Sequence, residues 1–140
     1  MNKQKLTIKN SSDECATIAD FLKDYIQDNN ISVDVLDDLR LVLEETFINI
    51  VNYAHPAQQG QAEDVNIELS HDPASISMTF IDNGEKFDPL ADNTKQMDID
   101  DLCDGGMGIH IIKSLSDEQH YQRVGQHNVF TVTKHYTKQH

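Results

Sequence analysis

Two short runs of alternating apolar and polar residues, Asp64 to Leu69 and Ser75 to Ile81, stand a few residues apart, and they restrict the fold of this chain more than any other feature. In an extended strand successive side chains point to opposite faces, so each run places its apolar residues on one side. The link His71-Asp72-Pro73-Ala74 is short enough to make the two runs an antiparallel hairpin. A sheet that is apolar on one side needs a second layer to cover it.

The rest of the chain supplies that layer. Gln4 to Lys9 alternates around Leu6 and Ile8 and predicts a first strand, ending at the Asn10-Ser11-Ser12-Asp13 cluster, which suits a helix start. From about Asp13 to Asp28 the apolar residues Ile18, Phe21, Leu22, Tyr25 and Ile26 recur at helical spacing, and Asn29-Asn30 ends the run. Ser32 is placed to cap a second helix, expected to end near Ala54 before Pro56. Ala57 to Glu63 is a polar loop. Asn83 to Asp104, about 22 residues, lacks periodicity; such stretches inside compact domains are uncommon and usually functional, which makes this one a candidate lid. Gly108 to Leu115 resumes a helical pattern, and His120 to Val124 with Val129 to Tyr136 predict a second hairpin around Gly125. The order β, α, α, β, β, lid, α, β, β predicts an α/β two-layer sandwich, a mixed or antiparallel sheet with helices on one face, and not the alternation of a doubly wound sheet.

At 140 residues the chain is expected to be one domain, spanning 1–140. Lys and Arg total 11 against 24 Asp and Glu, and the resulting charge of −13 repels phosphate backbones and anionic lipid. Neither nucleic acid nor a membrane surface is therefore an expected partner. No stretch approaches the ~20 apolar residues of a membrane span, and the first residues lack a signal-peptide core, so a cytoplasmic location is expected. Cys15 and Cys103 lack CxxC spacing and read as reduced, structural thiols. The acidic run Asp98 to Asp104 has Leu102 where a calcium loop needs an oxygen ligand, and the seven histidines show no metal-binding spacing.

Three stretches carry candidate chemistry. On the second helix Leu36, Leu39, Leu43, Phe47, Ile50 and Ala54 fall within about 80° and form the expected core face, while Glu45, Asn49 and Asn52 form a narrow polar stripe opposite to it. Such a stripe suits a polar cavity, or is the solvated side of an amphipathic helix. Asp82 shares its parity with Ile76, Met78 and Phe80, and so aims a carboxylate into an apolar side, which is costly without a donor. Asn83-Gly84 follows, and Gly84 permits positive φ or the close approach of a flat group. An exocyclic amino group would meet Asp82; alternatively Asp82 caps the following turn. Gly105-Gly106-Met107-Gly108-Ile109 opens a helix whose free N–H groups and dipole suit phosphate oxygens, or it is a plain hinge. The run fits neither GxxxxGK[ST] nor GxGxxG.

Taken in order, Glu44 to His55, Asp82 to Pro89 and Gly105 to Ile109 resemble the N box, G1 box and G2 box of the GHKL ATPase superfamily, with its Bergerat, histidine-kinase-like ATPase fold. The E-x-x-x-N-x-x-x-Y-A pattern, the F-D-P after the G1 box, the G-G-x-G-I opening and Asn128-Val129-Phe130-Thr131-Val132 look like the anti-sigma factor serine kinases of bacterial partner switching. The resemblance implies Glu45 as general base and Asn49 as a nucleotide contact and Mg²⁺ ligand. It implies Asp82 on the adenine amino group, Gly84 under the base, and Gly106, Met107, Gly108 and Ile109 around the phosphates. Thr131 is implied as a support for the Asp82–adenine contact, through water. Implied with these are the cofactors ATP and Mg²⁺, a STAS-type anti-anti-sigma protein as phosphorylated partner, a sigma factor as sequestered partner, and a homodimer.

The chain departs from the pattern twice. Lys86 stands where the superfamily's G1 box has a second glycine, and the lid, about 90–104, holds Lys95 as its one basic residue against five aspartates. Retention of Glu45 points to a protein-serine kinase. The acidic lid points to a nucleotide-gated binding module without phosphotransfer. A histidine-kinase-type ATPase domain would have to act in trans, since no phosphoacceptor hairpin is expected here.

Overall fold

In the computed structural model, residues 3–51, 64–90 and 107–136 are described. They form β1 (Lys3–Lys9), α1 (Cys15–Asp28), α2 (Leu36–Asn49), β2 (Asp64–Asp72), β3 (Ser75–Asp82), α3 (Met107–Leu115), β4 (Glu118–Val124) and β5 (His127–His135). The five strands make one sheet in the order β1-β2-β3-β5-β4, antiparallel at every pairing. Of the mixed and antiparallel arrangements expected, the antiparallel one is present. Both hairpins form, and the tip of the second is turned by Gly125 at φ +59°.

Parity decides which face is covered. Ile8, Val65, Ile67, Leu69, Ile76, Met78, Phe80, Phe130 and Val132 are buried on the side where the helices lie. The opposite face carries Thr7, Asn66, Ser77, Thr79, Thr131 and Thr133, with Ser77 bonded to Thr133 at 2.9 Å and Thr79 to Thr131 at 3.0 Å. From the helix side Ile18, Leu22, Tyr25 and Ile26 of α1 and Leu39, Val42, Leu43 and Phe47 of α2 complete the core. Burying a side chain of this size contributes roughly 1.5–3 kcal/mol, which is what holds the two layers together.

Local signals set the helix ends. Ser32 accepts from the Asp34 N–H at 3.3 Å and starts a short 3-10 turn, Val33–Val35, that leads into α2. At the end of α1, Asn30 takes φ 55° and the Ile31 N–H returns to the Ile26 carbonyl at 3.0 Å, closing the helix as asparagine readily does. Tyr25, fully buried, shares a 2.7 Å hydrogen bond with Nδ1 of His71 and so ties α1 to the first hairpin. Ile50 and Val51 continue α2 helically, while the rest of its expected extension to Ala54 and the lid beyond Leu90 lie outside the described residues. Among those described, no helix is long and apolar enough to cross a membrane.

Candidate functional site

The directions of three elements bring the candidate residues to one end of the sheet. Lys134, near the end of β5, pairs with Asp38 in the first turn of α2 at 3.1 Å, so α2 starts at that end of the sheet. Its 14 residues span ~21 Å, about the length of the strands beneath, and carry Asn49 to the opposite end, where β3 finishes at Asp82. After α3 the Asp117 N–H bonds the Thr133 carbonyl at 2.8 Å, so α3 ends where α2 begins and starts where α2 ends. α2 and α3 pack side by side. The C-terminal turn of α2, the end of β3 and the first turn of α3 therefore face one another. At a helix start the first N–H groups have no intrahelical partner and carry the positive dipole end.

At the end of β3, Asp82 is 2% exposed, as its parity predicts. Its Oδ1 accepts from the Gly84 N–H at 2.8 Å and from Nδ2 of Asn128 at 3.0 Å. Asp82 thus does cap the turn that follows, one of the two readings its sequence context left open. A carboxylate accepts about four hydrogen bonds, so the cap by itself does not decide between the two readings. Gly84 is outside the left-handed region, since Asn30 and Gly125 are the described residues with positive φ. The positive-φ use of Gly84 is therefore not taken up. Nor does Lys86 occupy a conformation that would demand glycine.

The polar stripe of α2 divides. Asn49 is 4% exposed and Glu45, one turn earlier, is half-buried. The expectation that both lie opposite the core is corrected for Asn49: α3 packs on that flank and extends the buried arc from Leu39 and Phe47 round through Val42 and Thr46 to Asn49. The solvated-face reading does not hold for Asn49. Glu44 turns the other way, reaching Arg40 at 4.0 Å and facing Cys15. Burial, and then the Glu44 carboxylate, push the Cys15 thiol above its ordinary range, which suits an inert structural thiol.

Among the described residues no group of three His, Cys, Asp or Glu is placed to hold a metal ion. A buried carboxamide at Asn49 fits Mg²⁺ differently, since that ion commonly takes one or two protein oxygens and completes its shell with phosphate and water. The donor chemistry present therefore suits a nucleotide-bridged Mg²⁺ and not an all-protein cage.

Thr131 is not brought to the site. Strand pairing sets it against Thr79 on the outer face, whereas Asp82 points to the inner one. The expected support of Asp82 by Thr131 is corrected by one parity: the residue opposite Asp82 is Asn128, 3% exposed. The signal for Asn128 was in the sequence, a polar residue on the parity of Phe130 and Val132, the same anomaly that marked Asp82. Met107, Gly108 and Ile109 open α3 as expected. Gly106 and Asn52 lie outside the described residues. An open groove of about 390 Å³ also reaches Asp82, lined by Lys9, Asp64, Asn66, Ile81, Asn83 and His127. Among the described residues neither Asn49 nor α3 lines it.

Against known proteins, the family described as histidine kinase-like ATPase domain matches residues 8–134. The serine-protein kinase RsbW of Bacillus licheniformis is 28% identical over 98 residues, covering 65% of this chain and 60% of that protein. RsbW of Bacillus subtilis is 27% identical over 105 residues, 71% of this chain and 62% of that protein. The match thus spans about three-fifths of these relatives' length. Among solved structures, a chain of the SiaB–SiaC complex from Pseudomonas aeruginosa aligns over 94% of this chain and 89% of its own, with a TM-score of 0.55 and 14% identity, a likeness of fold.

Proposed function

This chain belongs to the histidine kinase-like ATPase domain family, and on that premise we propose that it binds Mg-ATP, sequesters a sigma factor and phosphorylates a serine of a STAS-type anti-anti-sigma protein. The observation that carries the reading is the buried Asp82 carboxylate, held in a turn at the end of the sheet toward which Asn49 and the start of α3 converge. The similarity to RsbW serine-protein kinases supports the choice of substrate class.

In this reading Asp82 accepts from the adenine amino group and Gly84 lets the ring lie against the backbone. Asn49 would hold Mg²⁺, which would supply charge neutralisation at the phosphates, and the N–H groups at the start of α3 hold phosphate oxygens. Glu45, one turn before Asn49, takes the proton from the partner serine as its oxygen bonds to the γ-phosphorus. The bond from that phosphorus to the β,γ-bridging oxygen breaks, and ADP leaves. Positioning of the hydroxyl and the nucleotide supplies most of the rate.

Incubation with labelled Mg-ATP and candidate STAS-type proteins tests this, with wild type set beside Glu45→Ala and Asn49→Ala. Label on a partner serine, lost in both variants, is the expected result. ATP binding without label on any partner would refute the kinase and leave a nucleotide-gated binding module.

A further inference from the structure

The carboxamide of Asn128 makes five hydrogen bonds. Its Nδ2 donates to Asp82 Oδ1 at 3.0 Å and to the Glu85 carbonyl at 2.8 Å. Its Oδ1 accepts from the Phe87 N–H at 3.1 Å, the Tyr121 hydroxyl at 2.6 Å and the Arg123 guanidinium at 3.1 Å. With two acceptors on one side and three donors on the other, only one orientation of the amide satisfies the set. The same Arg123 nitrogen also donates to the Gly84 carbonyl at 2.9 Å. Residues 82, 84, 85 and 87 are thus each held from the β4–β5 hairpin, either by Asn128 or by Arg123.

We propose that Asn128 is a positioning residue of the nucleotide site, which sets the plane of the Asp82 carboxylate and the path of the 83–87 turn and thereby selects a base that carries an exocyclic amino group. The inference rests on the Mg-ATP reading above and extends it to base selection. Two donors converging on Asp82 Oδ1, the Gly84 amide and the Asn128 amide, leave the carboxylate little rotation. A carboxylate held in this way only accepts, so it favours the 6-amino group of adenine and opposes the 6-oxo group of hypoxanthine. Sites built around one hydrogen bond discriminate strongly because the wrong partner leaves a buried group unmatched. The turn also needs no second glycine: Lys86 is exposed, and cross-strand bonds hold the path that glycine geometry would otherwise set.

Base discrimination separates this role from a merely structural one. Mg-ATP and Mg-inosine triphosphate are titrated by calorimetry against wild type, Asn128→Ala, Tyr121→Phe and Arg123→Gln. The wild type is expected to prefer ATP, and Asn128→Ala to lose about tenfold or more of that preference, with ATP affinity falling much further than inosine triphosphate affinity. Tyr121→Phe and Arg123→Gln keep the buried amide and remove one donor each, so a loss of about threefold is expected with the fold intact. An unchanged ATP-to-inosine-triphosphate ratio in Asn128→Ala overturns the proposal. Should that variant not fold, an unchanged ratio in both of the other two overturns it. Absence of ATP binding by the wild type would instead overturn the nucleotide reading itself, and the proposal with it.

Discussion

Replacing Asp82 by asparagine removes a charge from the site while leaving its shape. The remaining Oδ1 of asparagine can still accept from the Gly84 amide at 2.8 Å and from Asn128 at 3.0 Å, but as a neutral acceptor. Charge-assisted hydrogen bonds are roughly twice as strong as neutral ones, so the folded state loses about 1–2 kcal/mol, a fall of roughly 3–6 °C in Tm for a chain of this size. Alanine would be a poorer probe: it orphans the buried Asn128 donor, at about 1–3 kcal/mol, along with the half-buried Gly84 N–H, and confuses folding with binding. The nucleotide loses more. A bond from the adenine amine to a carboxylate contributes about 1.5–3 kcal/mol, and the new amide presents N–H where an acceptor stood, so Mg-ATP should bind about 10- to 150-fold more weakly. Calorimetric titration of Mg-ATP, with a thermal melt of the same preparation, measures both effects. A folded Asp82→Asn variant that binds Mg-ATP within threefold of wild type would refute the assignment of Asp82 to the base.

Gly125→Ala puts a side chain at φ +59° with nothing within 4 Å of the new Cβ, so the cost is conformational, about 1–2 kcal/mol, and Gly125→Asn should recover most of it in denaturant titrations. Burial first, with nearby carboxylates or phenols adding, raises the thiol of Cys15 above its ordinary 9.0 and the phenols of Tyr25 and Tyr136 above their ordinary 10.0. These groups are held neutral in the fold, so their contribution is intact at neutral pH and is lost as pH rises beyond those values. Melting temperatures should therefore fall on the alkaline side, and Glu44→Gln should speed alkylation of Cys15. The Asp72 carboxyl is held below 3.8, chiefly by the Ala74 N–H at 2.7 Å; its contribution is present above that pH and lost on acidification, so Asp72→Asn should flatten the acid limb of the melting profile. Lys134→Ala breaks a pair in which Asp38 is 39% exposed, and should cost no more than about 1 kcal/mol, less at high salt.

Strand and helix positions were legible wherever the side-chain period was strong. The alternation at residues 64–69 and 75–81 became β2 and β3, each a little longer than expected, and the stripe of Ile18, Leu22, Tyr25 and Ile26 became the buried face of α1. Asp82 was legible for the same reason, as a carboxylate out of place on an apolar parity. The burial of Asn49 was not. A helical wheel describes one helix, and only the packing of α3 against α2 turned the flank beside Val42 and Thr46 into interior.

Sequence alone therefore determined what is periodic within a segment: the elements, the apolar face of each, and which polar residues violate that face. It also carried the order of the three boxes, because that order is a property of the chain. What the tertiary structure decided is register and direction. Pairing of β3 with β5 set Asn128, and not Thr131, against Asp82, although the two differ by only three positions. A shift between odd and even positions moves a strand residue to the other face, and nothing within β5 states which residue of β3 it will meet. The convergence of Asp82, Asn49 and the start of α3 at one end likewise required the directions of α2 and α3 over the sheet, which contacts such as Lys134 to Asp38 fix and no single stretch of sequence contains.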